Sequence, residues 1–292
     1  MLEYLKRGVC MELNIKQIVE ELGLDEPMKE IQFIQTKHRM KLAHFWDIKK
    51  GDNVLEIGCG QGDMTAVLAA CVGESGAVDA IDKAKPDYGS PLTLGQAMDK
   101  IKATKLGEQI HVEFDQDILL DDVHFPRNMY DQIVFSHSSW YMASEAEVFE
   151  LFKKLRPLGK RLCFAEWSTH IEEMVQYPHL LAAMIQSQYE AYKKSSQANI
   201  RTLLTPEKII SLANLAGWEI AHKTIIHSLD LQDGQWEVQY VCEDFEKQMN
   251  AINDMPDKVK ENLRAQWQIL KTCHENMNQI IKPLPVFAFT AE

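Results

Sequence analysis

Three glycines, Gly58, Gly60 and Gly62, alternate directly after the apolar run Val54-Leu55-Glu56-Ile57, and an acid, Asp82, follows Gly62 by twenty residues. Glycines at that spacing, where a strand gives way to a helix, let the backbone approach a ligand without an intervening Cβ and turn peptide N–H groups toward it. A carboxylate at the tip of the next strand can accept from both hydroxyls of a ribose, at about 1.5–3 kcal/mol for each hydrogen bond to a charged group. A nucleoside-bearing cofactor is therefore predicted. The dinucleotide fingerprint Gly-x-Gly-x-x-Gly is the alternative, but Gly62 comes one residue too early for it and Glu56 stands two residues before Gly58. Both departures point away from a nicotinamide oxidoreductase.

Further along, Ser136-His137-Ser138-Ser139-Trp140-Tyr141 and Glu166-Trp167-Ser168-Thr169-His170 each follow a short apolar run. His137 is a candidate general base, because an imidazole titrates near neutral pH; the alternative is a histidine bonded to backbone or packed beside the cofactor. Trp140 and Tyr141 offer an aromatic wall or a cation–π partner, against the alternative of core residues. Tyr141 and Glu166 join His137 as catalytic candidates, and Trp140, Tyr141, Trp167 and His170 are candidates for touching the substrate. Glu166 and His170 have the alternative of capping a following helix.

Several elements must position these groups. β-branched runs at 53–57, 77–81, 110–114, 132–135 and 161–165 alternate with helical stretches, the signature of right-handed crossovers and a parallel sheet covered on both faces. Helical spacing before residue 46 predicts two helices with a break near Gly23 and Pro27. An inserted helix is predicted within 174–196, a helix capped by Thr205 and Pro206 and ended by Gly217, a strand near 218–226, helices over 235–281 broken at Pro256, and a last strand at 285–290. The fold class is α/β, with residues 47–292 forming the cofactor domain. Insertions at 168–204 and 230–282, with residues 1–46, are expected to form a helical cap. Two prolines and two glycines in 86–96 predict an ordered loop at the cofactor edge.

The Glu56-x-Gly58-x-Gly60-x-Gly62 turn, with Asp82 behind it, resembles motif I of the class I methyltransferases that use S-adenosylmethionine (SAM). The resemblance spans residues 35–228 and the final strand, and within that class the chain is similar to small-molecule enzymes described as cyclopropane-fatty-acid-synthase-like. It implies a Rossmann-like, mostly parallel seven-stranded sheet. The cofactor set it implies is Glu56, Gly58, Cys59, Gly60, Gln61, Gly62, Asp82, Lys83, Asp117, Ile118, Ser136 and His137. Asp117 with Ile118 is the pair expected beside adenine, with Asp115 as competitor and an acidic loop running into Asp121 and Asp122 as the alternative. The implied reaction is in-line transfer of a methyl group to O, N or C of a small organic molecule; a SAM-binding regulatory or scaffolding protein is the alternative.

Composition narrows the partners. A net charge of −12 disfavours nucleic acid, whose binding depends on Lys and Arg neutralising phosphates. The six cysteines contain no Cys-x-x-Cys pair, which argues against a zinc site or a disulfide framework, and no strand-end acid at 136–141 calls for a metal. Glu3, Lys6 and Arg7 interrupt any signal-peptide core, and no apolar run reaches membrane-spanning length. A cytoplasmic protein is expected, and the helical flanks are suited to a homodimer contact.

Overall fold

The computed structural model describes residues 15–292 apart from 23, 25, 121, 122, 197, 278 and 279. Cys10, the first fourteen residues of the expected cap, Gly23, Asp121 and Asp122 lie outside the described residues. Helix α1 covers residues 15–21 and α2 covers Met28–Phe45. There follow β1 (Asn53–Ile57), α3 (Asp63–Val72), β2 (Ala77–Asp82), α4 (Leu94–Lys102), β3 (Ile110–Phe114), β4 (Tyr130–Ser136), α5 (Glu145–Leu155) and β5 (Gly159–Trp167). The chain ends with α6 (Tyr177–Glu190), α7 (Pro206–Leu215), β6 (Ile220–Ile226), α8 (Asp233–Ala251), α9 (Asp257–Met277) and β7 (Val286–Ala291).

Among the described residues the strands form one seven-stranded sheet in the order β3-β2-β1-β4-β5-β7-β6. The first five are parallel, and β7 runs antiparallel between β5 and β6. Connections reverse direction between β1 and β4, so the crevice outside their carboxyl ends is where an open α/β sheet binds ligands. Val54, Leu55, Glu56 and Ile57 are all buried, as a central strand covered on both faces requires. Two apolar layers cover the sheet, one built with α5 and α7, the other with α2 and α3. A third, separate core joins α6, α8 and α9 around Phe245, which stacks on Trp267 with ring centroids 5.0 Å apart. The late helices thus pack on one another as a cap with its own apolar centre.

One sequence expectation shifts. The loop expected over 86–96 ends at Thr93, because Thr93 and Gln96 form a capping box: the Thr93 hydroxyl accepts from the Gln96 N–H at 3.2 Å and the Gln96 side chain accepts from the Thr93 N–H at 3.1 Å. Leu94, Gly95 and Gln96 are therefore helical. Asp79 accepts from the Tyr130 hydroxyl at 2.7 Å, tying β2 to β4. No helix among the described residues is long and apolar enough to cross a membrane.

Candidate active site

A cavity of about 1110 Å³ opens at the carboxyl end of the sheet and extends under the cap. Its floor is the glycine turn. Gly58 and Gly60 have φ of +73° and +53°, and both line the cavity. A Cβ on Gly58 would lie 2.6 Å from Ser138 Oγ, whereas among the described residues no atom beyond the chain neighbours stands within 4 Å of one on Gly60, so the space beside Gly60 is open. The N–H groups of Gly58 and Cys59 donate to the Ile81 carbonyl at 2.8 and 3.1 Å, which fixes the turn against β2.

Gly62 departs from its expected role. It does not line the cavity, and a Cβ there would meet Ile101 Cδ1 at 2.5 Å and Met98 Cε at 2.9 Å. Its left-handed φ of +88° and its closeness to α4 account for the glycine, so packing rather than ligand approach demands it.

Asp82 closes β2 at the cavity wall. Its Oδ2 accepts from the Gly60 N–H at 2.9 Å and its Oδ1 from the Ala84 N–H at 2.8 Å. A carboxylate has about four lone-pair sites, so two remain for a ligand. Lys83, Gln116, Asp117 and Ile118 continue the same wall, while Asp115 lies outside it. Gln61 also faces the cavity and donates to the Leu92 carbonyl at 2.9 Å, binding the turn to the segment that brings Tyr88, Gly89 and Ser90 to the rim.

Glu56 is 2% exposed and accepts from the Thr65 hydroxyl at 2.6 Å. Burial outweighs that bond and pushes its carboxyl up to about 8 from an ordinary 4.5. Because the folded value lies above the unfolded one, the stability Glu56 contributes is full below pH 4.5 and is lost as pH rises through about 8. Urea denaturation at a series of pH values is expected to show a falling unfolding free energy across this window, and Glu56→Gln removes that component.

Opposite the turn, β4 and β5 deliver the polar and aromatic groups. His137 takes φ +51°, and its N–H donates to the Ala165 carbonyl at 2.8 Å, which turns the ring across the β5 end. Its Nδ1 lies 3.7 Å from Glu166 Oε1 and its Nε2 lies 2.9 Å from Nε2 of His38, a residue of α2. His38 Nδ1 in turn lies 2.9 Å from Ser228 Oγ, which accepts from Lys41 Nζ at 3.2 Å. With the proton on His137 Nδ1, which lies toward Glu166 without a hydrogen bond to it, His137 Nε2 accepts from His38 Nε2–H and His38 Nδ1 accepts from the Ser228 hydroxyl; with the proton on His137 Nε2 both directions reverse. Burial, reinforced by His137, holds the His38 pKa well below the usual imidazole value. His137 Nε2 is thus engaged by His38, and a general-base role for that nitrogen requires the contact to open.

Glu166 is 3% exposed and lines the cavity, but its oxygens are committed to the backbone. Oε2 accepts from the Ser139 N–H, the Ser139 hydroxyl and the Trp140 N–H at 2.9, 2.8 and 3.3 Å, and Oε1 accepts from the Trp167 N–H at 3.0 Å. The acid thereby holds the 3-10 turn Ser139–Tyr141, whose Trp140 and Tyr141 line the cavity with Ser136. Burial raises the Tyr141 phenol above its ordinary range. Trp167 stacks parallel to His38 at 6.5 Å and meets the edge of His179 at 5.2 Å. His170 falls outside the cavity: β5 ends at Trp167, Ser168 Oγ accepts from the His170 N–H, and the ring turns outward to Glu207 at 3.2 Å.

Several lining residues escaped the sequence reading. Gln35, His38 and Arg39 come from α2, His179 from α6, and Asp233, Trp236, Glu237 and Tyr240 from α8. Arg39 is held at the glycine turn by Asp63, at 3.3 Å, and by the Gln35 side chain. Their helical spacing announces a face, and only the placement of α2 and α8 over the β1 and β4 ends shows that the face is a cavity wall.

Comparison with known proteins accords with this geometry. The family model for protein-L-isoaspartate (D-aspartate) O-methyltransferase matches residues 18–93, which include the glycine turn and Asp82. A cyclopropane-fatty-acyl-phospholipid synthase-like protein from Lactobacillus casei superimposes with a TM-score of 0.83 at 33% identity, covering 96% of this chain and 99% of its own. Two methyltransferases of Diaporthe leptostromiformis, phomM' and phomM, are 28% and 27% identical over 72% of this chain. The chain spans 65% of the length of these curated relatives.

Proposed function

This chain belongs to the SAM-dependent methyltransferases, among the cyclopropane-fatty-acyl-phospholipid synthase-like proteins, with SAM as its cofactor, and on that premise we propose that it methylates a small organic molecule held beneath the helical cap. One observation carries the reading: one cavity runs from the glycine turn and Asp82 to the aromatic and polar groups of the cap, so donor and acceptor can meet within it. SAM supplies a methyl group on a sulfonium whose departure leaves a neutral thioether, so the protein's task is alignment and, for a protonated acceptor, removal of a proton.

The chain's own residues divide that task. The backbone at Gly58, Cys59, Gly60 and Gln61, with Arg39 as a charged partner for a carboxylate, would hold the methionine part of the cofactor, and Asp82 with neighbouring Lys83 its ribose side. Asp117 and Ile118 would flank the adenine. Ser136 and His137 face the transfer point from β4. Glu166 acts as a positioning residue through Ser139, Trp140 and Trp167, and Trp140 and Trp167 form the acceptor's wall with Tyr141. The cap of α6, α8 and α9, with the face of α2 that carries Gln35 and His38, selects the acceptor. The acidic net charge favours a small molecule over nucleic acid, and the free thiols among the described residues favour a cytoplasmic setting.

Incubating the protein with SAM and a metabolite extract is expected to yield a species heavier by one methyl group and S-adenosylhomocysteine (SAH) in equal amount. SAM binding without any product would contradict the catalytic reading and leave a binding protein.

A further inference from the structure

Helix α8 turns one face to the cavity. Asp233, Trp236, Glu237 and Tyr240 recur at the i, i+3, i+4, i+7 spacing of a single helix side, and all four line the cavity. Val238, Val241, Phe245 and Met249 are buried with α6 and α9. Trp236 and Tyr240 stay 47% and 41% exposed, an unusual allowance for large aromatic rings beside two acids. Those acids are held by neutral amides. Asp233 Oδ2 accepts from Gln35 Nε2 at 2.9 Å, and Glu237 accepts from the side chains of Gln186 and Asn199. Among the described residues neither is paired with a cation. The cationic side chains of the cavity are engaged elsewhere: Arg39 by Asp63, Lys83 by Glu147, and Arg201 by the Tyr141 carbonyl.

A second observation comes from α6. His179 is fully buried and lines the same cavity, and its Nδ1 accepts from the Leu284 N–H at 2.9 Å. That bond fixes the tautomer, because a nitrogen that accepts carries no proton, so the proton sits on Nε2. Nε2 has no hydrogen-bond partner among the described residues. Burial lowers the imidazole pKa to about 4, so the ring is neutral at physiological pH, and Asp233 is close enough to act on it electrostatically. A buried N–H without an acceptor costs about 1–3 kcal/mol, which a ligand oxygen would recover.

We propose that the cap side of the cavity is a subsite for an organic ammonium compound carrying a hydrogen-bond-accepting oxygen, the cation meeting Trp236, Tyr240, Asp233 and Glu237 and the oxygen meeting His179 Nε2–H. Exposed aromatic faces and carboxylates both favour a cation. The same carboxylates repel an anionic ligand, so the oxygen belongs to a neutral group such as a hydroxyl or carbonyl. This assignment rests on the reading that the acceptor binds in this cavity beside the cofactor.

The test uses the full chain saturated with SAH and three probes measured by calorimetry: choline, its neutral isostere 3,3-dimethyl-1-butanol, and ethyltrimethylammonium, which lacks the hydroxyl. Choline is expected to bind about tenfold tighter than the neutral isostere and about fivefold tighter than the hydroxyl-free cation. Trp236→Leu and Glu237→Gln erase the first difference and His179→Phe the second, while the SAH affinity of each variant reports that it is folded. Equal binding of choline and its neutral isostere, or no binding of any probe to the SAH-loaded protein, overturns the ammonium subsite. Equal binding of the two cations overturns the role of His179. Failure of SAH itself to bind overturns the underlying reading of the cavity.

Discussion

Replacing Asp82 with alanine is expected to weaken SAM binding by at least about a hundredfold, since two hydrogen bonds to a charged acceptor at about 1.5–3 kcal/mol each are removed together. The carboxylate accepts from the Gly60 and Ala84 N–H groups, which shapes the glycine turn, and in the proposed role its two remaining lone pairs accept from the ribose. Asp82→Asn keeps the side chain's shape and one accepting oxygen, and about a tenfold loss is expected for it. Calorimetric titration of SAM into the wild type and both variants, with circular dichroism to verify folding, checks the order. An Asp82→Ala protein that binds SAM as the wild type does would remove Asp82 from the ribose.

Glu166→Ala is expected to cost about 3–5 kcal/mol of folding stability, the range for breaking a buried charged network by deleting one partner. The carboxylate is 3% exposed and accepts from three N–H groups and one hydroxyl. Deletion strands the Ser139 and Trp140 N–H groups, each worth about 1–3 kcal/mol when unsatisfied. Glu166→Gln retains the volume but sets an NH2 against donors that both oxygens now serve, so a smaller loss is expected. Urea denaturation of the three proteins measures the order Ala, then Gln, then wild type in increasing stability. Equal stability of Glu166→Ala and the wild type would show that the carboxylate does not hold the 139–141 turn.

The contrast between Asp82 and Gly62 shows what a sequence discloses. Strand period and glycine spacing placed β1, its turn and the acid at the tip of β2, because each is a local consequence of chain geometry. The same spacing could not separate a glycine facing a ligand from one facing Met98 and Ile101, since that depends on where α4 packs. Glu166 and His170 stand four residues apart after one strand, yet one is buried under the cavity wall and the other meets Glu207 at the surface. The chain's direction after Trp167 decides between them, and no periodicity encodes it. His38 and His179 were invisible for a related reason. A histidine in a helix reads as a polar residue until tertiary packing sets it against Trp167.

Chemistry at the methyl carbon tests the central claim most directly. With SAM carrying a trideuterated methyl group and the acceptor isolated from the extract, in-line displacement breaks only the carbon–sulfur bond, so every deuteron travels with the carbon. Mass spectrometry is predicted to find the product with all three deuterons and one SAH formed per product. A product that retains only two deuterons, as delivery of a methylene group demands, or SAM recovered intact beside an unchanged acceptor, would contradict it.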